Sequence, residues 1–223
     1  MISMSYALFN GSYISKKNTG IGVVSKDLLR CLSSDVVTTL VPRDSEINGN
    51  IPIPNNLSPE LGLPAHLRRL LWLQQTVPKI IKRSGSDILF SPMPEAPLLQ
   101  GVRSIVIAHD LIPIRYPSFS LLTAYNLTYV SAVLHQSEIV LCNSYATAEE
   151  IHKFFGVPAK KLVPIRLGYN QKDIYSLSIK REDYFLVIGR HNPHKNLERL
   201  IRSFSLLKNT GYKLIFVGPF DRR

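Results

Sequence analysis

Apolar residues fall along this chain in short blocks, separated by longer stretches in which they recur every third or fourth position. The blocks at 5–9, 36–41, 87–90, 104–108, 138–142 and 162–167 predict β-strands. Several are apolar on both faces, the mark of a parallel sheet covered by helices. Between them Ile21, Val24, Leu28 and Leu32 keep helical spacing, as do Leu121, Tyr125, Thr128, Ala132 and His135. A third helix is predicted over 148–155, stopped by Gly156 and followed by the breaker Pro158. The predicted class is α/β, a doubly wound, mostly parallel sheet.

The pattern changes after position 169. Residues 170–183 are polar and weakly patterned, as a linker would be, and a new unit follows: a strand at 184–188, a helix over 196–208, a stop at Gly211 and a strand at 213–217. Leu197, Leu200, Ile201, Phe204 and Leu207 form the apolar stripe of that helix. Two domains are therefore predicted, 1–169 and 184–223. The second is a lone βαβ unit, close to the lower size limit for a core of its own, with a sheet edge and an apolar face uncovered. We expect this domain to be incomplete, either completed by a partner chain or a second copy, or left short by a truncated coding region.

The stretch 61–85, LGLPAHLRRLLWLQQTVPKIIKRSG, sets Leu67, Leu70, Leu71, Trp72 and Leu73 beside Arg68, Arg69, Lys79, Lys82 and Arg83. A basic, amphipathic, Trp-bearing segment suits the surface of an anionic membrane. The commoner outcome is a helix pair packed on the sheet, its basic face solvated and Pro78 breaking or kinking it.

Charge narrows the picture only a little. The net charge of +11 attracts nucleic acid, anionic lipid or phosphorylated small molecules without choosing among them. Residues 177–223 are the more basic part, with 10 Lys and Arg against 4 Asp and Glu. No reading helix, zinc site or basic–aromatic interleaving supports nucleic-acid binding. No apolar run reaches the roughly 18 residues that span a bilayer, and MISMSYALFN lacks the basic start of a signal peptide. A cytoplasmic protein, at most peripheral to a membrane, is expected. Cys31 and Cys142 lack the spacing of a zinc or redox pair, so buried free thiols are expected.

Three stretches carry candidate chemistry. NTGIG follows the first strand and opens the first helix, where Gly20 and Gly22 let a phosphate or sugar hydroxyl approach backbone N–H groups and the positive helix end. The third glycine of a dinucleotide fingerprint is Ser25 here, and a plain tight turn explains the motif equally well. IVIAHDL puts His109 and Asp110 at the carboxyl end of a strand, facing the ligand crevice of an open parallel sheet. His109 there can orient a hydroxyl or donate to developing negative charge, and Asp110 can fix the ring or cap the next segment; a hydrogen-bonded structural His is the alternative. Gly189-Arg190 with Lys195 offers a guanidinium fork and an ammonium to a diphosphate from two sides. The phosphate-binding pattern of nucleotide hydrolases is absent. No carboxylate or Cys cluster joins His191 and His194, so no metal is expected, and a solvated basic turn is the alternative.

Taken in order, NTGIG, IAHDLIP then YPS, LCNSYATAEEI then FGVP and KLVPIRLGYN, and YFLVIGRHNPHKNLERLIRSF then KLIFVGP resemble the retaining GT-B glycosyltransferases of family 4. The resemblance covers most of the chain and is weakest across 43–85. It implies two Rossmann-like domains facing a cleft, the first for the acceptor and the second for a nucleotide-activated sugar. Arg190 and Lys195 match the pair that holds the donor diphosphate and stabilises the leaving nucleotide. Gly20 and Gly22 match the loop closing over donor phosphate and sugar, His109 the His near the transferred sugar, and Ser144 the Ser-containing turn on the interdomain side. The implied reaction moves a hexose, with mannose the guess, to a glycan or lipid-linked acceptor with retention of configuration and without metal or other cofactor. One departure is large: the family's two Glu residues eight apart, which grip sugar and ribose, have no counterpart in GPFDRR after Val217. The 223-residue chain alone is thus expected to be nearly inactive. The alternative is a non-catalytic binding or assembly partner derived from a glycosyltransferase.

Overall fold

Strands that are apolar on both faces must be covered on both sides, and β1 meets that demand directly: neighbouring Leu8 and Phe9, which point to opposite faces, are both fully buried. The computed structural model describes residues 6–15, 19–32, 35–45, 47, 49–98, 100–117, 120–168, 182–189, 192–207 and 211–218. The chain divides into two compact units, 1–170 and 171–223.

The first unit runs β1 (Ala7–Asn10), α1 (Gly20–Cys31), β2 (Val37–Pro42), β3 (Ile51–Ile53), α2 (Gly62–Gln75), α3 (Val77–Ser84), β4 (Ile88–Ser91), β5 (Ser104–Ala108) and α4 (Ile112–Arg115). Next, α5 (Leu121–Tyr125) passes through a π-helical turn, Asn126–Val130, into α6 (Ser131–Gln136), followed by β6 (Ile139–Cys142), α7 (Tyr145–Phe155) and β7 (Leu162–Pro164). All seven strands are parallel, in the order β3-β2-β1-β4-β5-β6-β7. The chain builds outward from β1 to β3, then returns to add β4 on the other flank of β1. The winding direction therefore reverses between β1 and β4, and outside the carboxyl ends of those strands lies the crevice in which open α/β sheets take their ligands.

The doubly wound class is as the sequence predicts, and the differences have local causes. β3 is absent from the prediction because it is a three-residue edge strand interrupted by Pro52. β7, at the other edge, ends at Pro164 rather than 167. α7 begins three residues earlier than predicted because Ser144 caps it, accepting from the Thr147 N–H at 3.1 Å. α2 and α3 are the expected pair, parted at Thr76 with Pro78 in the first turn of the second helix. Arg69, however, is not on the solvated basic face: with Ala65 and Leu73 it forms the stripe of α2 turned into the core. Cys142 is buried, which pushes its thiol up to about 11, whereas Cys31 is exposed at the end of α1, contrary to the expectation of two buried thiols. Most of the predicted linker lies outside the described residues.

The second unit pairs β8 (Tyr184–Ile188) in parallel with β9 (Lys213–Val217), with α8 (Leu197–Ser205) between them in the chain. Phe185 of β8 meets Phe204 edge-on at 6.0 Å and Tyr212 at 5.4 Å. None of its described residues is buried. Two glycines close the strand ends: a Cβ on Gly218 would run into the carbonyl of Gly189.

Candidate functional site

At the carboxyl edge of the first sheet, strand ends and the following loops are joined by side-chain hydrogen bonds. Asn10, the last residue of β1, donates from Nδ2 to Ser91 Oγ at the end of β4, 3.2 Å away, across the point where the winding reverses. Its Oδ1 accepts from the Ser12 N–H at 3.2 Å and so turns the chain out of the strand. Gly11 is needed there, since a Cβ would strike the Leu40 carbonyl of β2.

One strand further, His109 follows β5, and its Nε2 lies 2.9 Å from the Pro92 carbonyl. A carbonyl only accepts, so Nε2 carries a proton, which leaves Nδ1 as the ring nitrogen with no partner among the described residues. Asp110 caps rather than orienting that ring: its Oδ1 takes the Ile112 N–H at 3.0 Å and starts α4. Thr147 of α7 donates to Asn143 Oδ1 at 2.9 Å, shares a 3.0 Å hydroxyl contact with Ser144, and reaches the His109 carbonyl at 3.4 Å. His109 and Ser144 thus share one hydrogen-bonded rim. Gly22, in the first turn of α1, gives its N–H to the capping Thr19 Oγ1 at 3.1 Å, while Gly20 is exposed, with open space where a side chain would be.

Behind this edge lies a buried polar cluster that the sequence reading does not contain. Arg69 and Glu95 are 4% and 1% exposed. Arg69 donates from Nε to Glu95 Oε2 at 2.9 Å, from Nη2 to Oε1 at 3.2 Å and from Nη1 to the Leu57 carbonyl at 3.0 Å. Nη2 also lies 3.0 Å from His66 Nδ1. Because a guanidinium only donates, Nδ1 is unprotonated and the neutral His66 ring carries its proton on Nε2. Burial lowers the pKa of His66, and the charge of Arg69 adds to this against the opposing pull of Glu95. Burial would raise the pKa of Glu95, but the charge and hydrogen bonds of Arg69 reverse this and hold the carboxyl below its ordinary range. Tyr125 donates to Glu95 Oε1 at 2.8 Å. The guanidinium lies over the Tyr13 ring, 4.6 Å from its centroid. The buried Tyr13 hydroxyl feels the charges of Glu95 and Arg69 but meets hydrogen-bond geometry with neither, and Ser12 Oγ is likewise buried without a partner among the described residues.

In the second unit Lys195 is exposed in a 3-10 turn, Pro193–Lys195, before α8. Asn196 follows in the left-handed region, with φ of 52°. Residues flanking Lys195, among them Asn192, Pro193, Asn196 and Leu197, line an open hollow of about 550 Å³ together with Ile201 and Phe216. Arg190 lies outside the described residues. Among the described residues no three His, Cys, Asp or Glu side chains gather as metal ligands.

The family model described as Glycosyltransferase Family 4 matches residues 18–172, most of the first unit. The chain belongs to glycosyltransferase family 4. Over 175 residues it is 25% identical to the O-antigen chain mannosyltransferase RfbU of Salmonella typhimurium, a match covering 77% of this chain and 48% of that protein. The chain therefore spans about half the length of that curated relative. In fold it is similar to sucrose-phosphate synthase of Thermosynechococcus elongatus, with a TM-score of 0.58 and 16% identity over 97% of this chain and 62% of the other. It is also similar to the apo lipopolysaccharide outer core galactosyltransferase WaaB, with a TM-score of 0.53 and 13% identity over 96% and 60%. The fold is of the GT-B type.

Within this family 4 fold the structure brings four predicted residues, His109, Asp110, Ser144 and Gly22, to the carboxyl edge of the first sheet or to the cap of the helix that follows it, with Gly20 one step outside. Lys195 belongs to the other unit. Missing from the sequence reading are Asn10, Ser91 and Thr147 on the rim and Tyr13, His66, Arg69, Glu95 and Tyr125 behind it. Of these only Arg69 left a signal, the spacing of Ala65, Arg69 and Leu73 at every fourth position.

Proposed function

We propose that this protein serves the transfer of a hexose from a nucleotide sugar to a glycan or lipid-linked acceptor, with retention of anomeric configuration, in the assembly of a polysaccharide. Family membership across residues 18–172 carries this reading, and the O-antigen mannosyltransferase relative suggests mannose. In this reading the first unit faces the acceptor. His109, its Nε2–H occupied by Pro92, uses Nδ1 to accept from a hydroxyl of the transferred sugar, while Asp110 holds the turn that presents it. The open backbone at Gly20 lets the donor approach α1 closely. Arg190 and Lys195 neutralise the diphosphate as it departs, which removes the need for a metal ion. Contact with a membrane bearing the acceptor falls to the outer face of α2.

Calorimetric titration with UDP and GDP tests the clamp. Wild type should bind one of them, and Arg190→Ala or Lys195→Ala should abolish detectable binding. Equal binding by wild type and both variants would remove the diphosphate assignment. A second reading, an assembly partner derived from a glycosyltransferase, is favoured by the exposed apolar residues Leu186, Ile188, Ile201 and Leu206 of the second unit. Light scattering decides it: a monomer at all concentrations speaks against it.

A further inference from the structure

We propose that Arg69 is a positioning residue for the ligand crevice between β1 and β4: held by Glu95, its guanidinium pins residues 11–15, which leave β1, against the sheet edge. Three contacts carry this. Nη1 bonds the Leu57 carbonyl beyond β3, Nε and Nη2 bond Glu95 beyond β4, and the guanidinium carbon lies over the Tyr13 ring beyond β1. One side chain from α2 therefore engages the segments leaving the carboxyl ends of three strands, two of which flank the crevice.

The link to the crevice runs through Tyr13. Its hydroxyl faces the charges of Glu95 and Arg69 without meeting hydrogen-bond geometry to either, and the guanidinium carbon lies over its ring, 4.6 Å from the centroid. Its backbone carbonyl lies beside the start of α1, close enough that a Cβ added at Gly22 would come within 3.3 Å of it. On this proposal, loosening the ring frees residues 11–15 and, through that neighbouring carbonyl, the first turn of α1. A buried ion pair is a poor choice if stability is the only purpose, because apolar side chains of similar volume hold a core as well or better. They cannot supply directed bonds to separate loops, which the planar fork of Arg69 does. Tyr125, bonded to Glu95 Oε1, adds α5 to the same arrangement.

The proposal deepens the glycosyltransferase reading and rests on it for the identity of the ligand, but the pinning itself is tested without a ligand. Residue-resolved hydrogen exchange is measured on the full chain for wild type, Tyr13→Phe, Tyr13→Leu, Arg69→Lys and the apolar replacement Arg69→Met/Glu95→Leu/Tyr125→Phe. The last three should exchange about tenfold faster at residues 11–15 and 19–22 while β4, β5 and β6 keep their protection. Tyr13→Phe, which retains the stacked ring, should match wild type. Arg69→Lys keeps the charge without the fork or the flat face, so wild-type protection in that variant would overturn the proposal. So would unchanged exchange at 11–15 and 19–22 in Tyr13→Leu, or a uniform rise across the first unit in every variant. With UDP as the probe, the same three variants should bind at least about fivefold more weakly than wild type. A wild type that binds no UDP or GDP counts against the glycosyltransferase reading alone, and the exchange pattern still decides the role of Arg69.

Discussion

His66 is where the buried cluster meets solvent, with its side chain 25% exposed, and its protonation state is set by what surrounds it. Arg69 Nη2 needs Nδ1 as an acceptor, Glu95 Oε1 lies 3.6 Å from the same nitrogen, and Tyr125 from α5 stacks edge-on at 4.7 Å. Burial and Arg69 together lower the pKa from its ordinary 6.5. Between pH 6.5 and that lower value the unfolded chain binds a proton that the folded chain refuses, so stability should fall as pH drops through this window and level off below it. Urea unfolding of wild type and His66→Asn, which keeps an acceptor near the Nδ1 position, should show the slope in wild type and flatten it in the variant. Equal slopes would show that His66 does not set this response. At this scale the sequence was legible where a chemically distinctive residue ended a strand, as with His109 and Asp110, whereas Ser144 came only through the family resemblance. Asn10 and Ser91 end strands too, but nothing in an uncharged amide or hydroxyl marks it as the bridge across a crevice.

Among the strands of the first unit, legibility followed position in the sheet, whereas β8 and β9 were read correctly from their apolar blocks although neither is buried. β1, β2, β4, β5 and β6 lie inside the sheet and read as apolar blocks, while the edge strands β3 and β7 were missed or overextended because one side of each is unpaired. Helix α2 was located correctly but its faces were not: four-residue spacing puts Ala65, Arg69 and Leu73 inward and leaves Leu63, Leu67 and Leu71 at 54%, 53% and 58% exposure. An outward leucine row beside Arg68, with Lys79, Lys82 and Arg83 following and no acidic residue within α2 or α3, has the makeup of a surface helix at an anionic bilayer. No helix among the described residues is long and apolar enough to cross a membrane. Sedimentation with vesicles containing phosphatidylglycerol should therefore capture the protein at low salt and release it at high salt. Leu67→Ser/Leu71→Ser should weaken capture about tenfold, from the lost burial of two leucines. Capture that ignores both salt and the leucines would assign this face to solvent.

For the molecule as a whole, apolar burial is uneven. The first unit encloses a continuous core from Leu8 and Leu40 through Val106 and Leu134 to Ile151, with Trp72, the sole tryptophan, packed against it. In the second unit Phe185, Leu186 and Ile188 of β8 keep 48%, 48% and 73% of their surface, and the stripe of α8 keeps 37% at Leu200 and 50% at Ile201. Local stability follows buried apolar contact, so the strands of the second unit should open at a free energy well below that of global unfolding. Trp72 gives an independent report of the first unit. On titration with urea, amide protection in β8 and β9 should disappear at concentrations where Trp72 fluorescence is still native, giving two transitions rather than one. The basic surplus of residues 177–223 sharpens the expectation, because repulsion among like charges favours opening and salt should move the first transition more than the second. A single coincident transition at every salt concentration would mean that contacts beyond those of the second unit hold it shut, and association of two copies through β8 and α8 would then be the first cause to test, by repeating the titration at a hundredfold lower protein concentration, roughly the range over which mass action becomes plain.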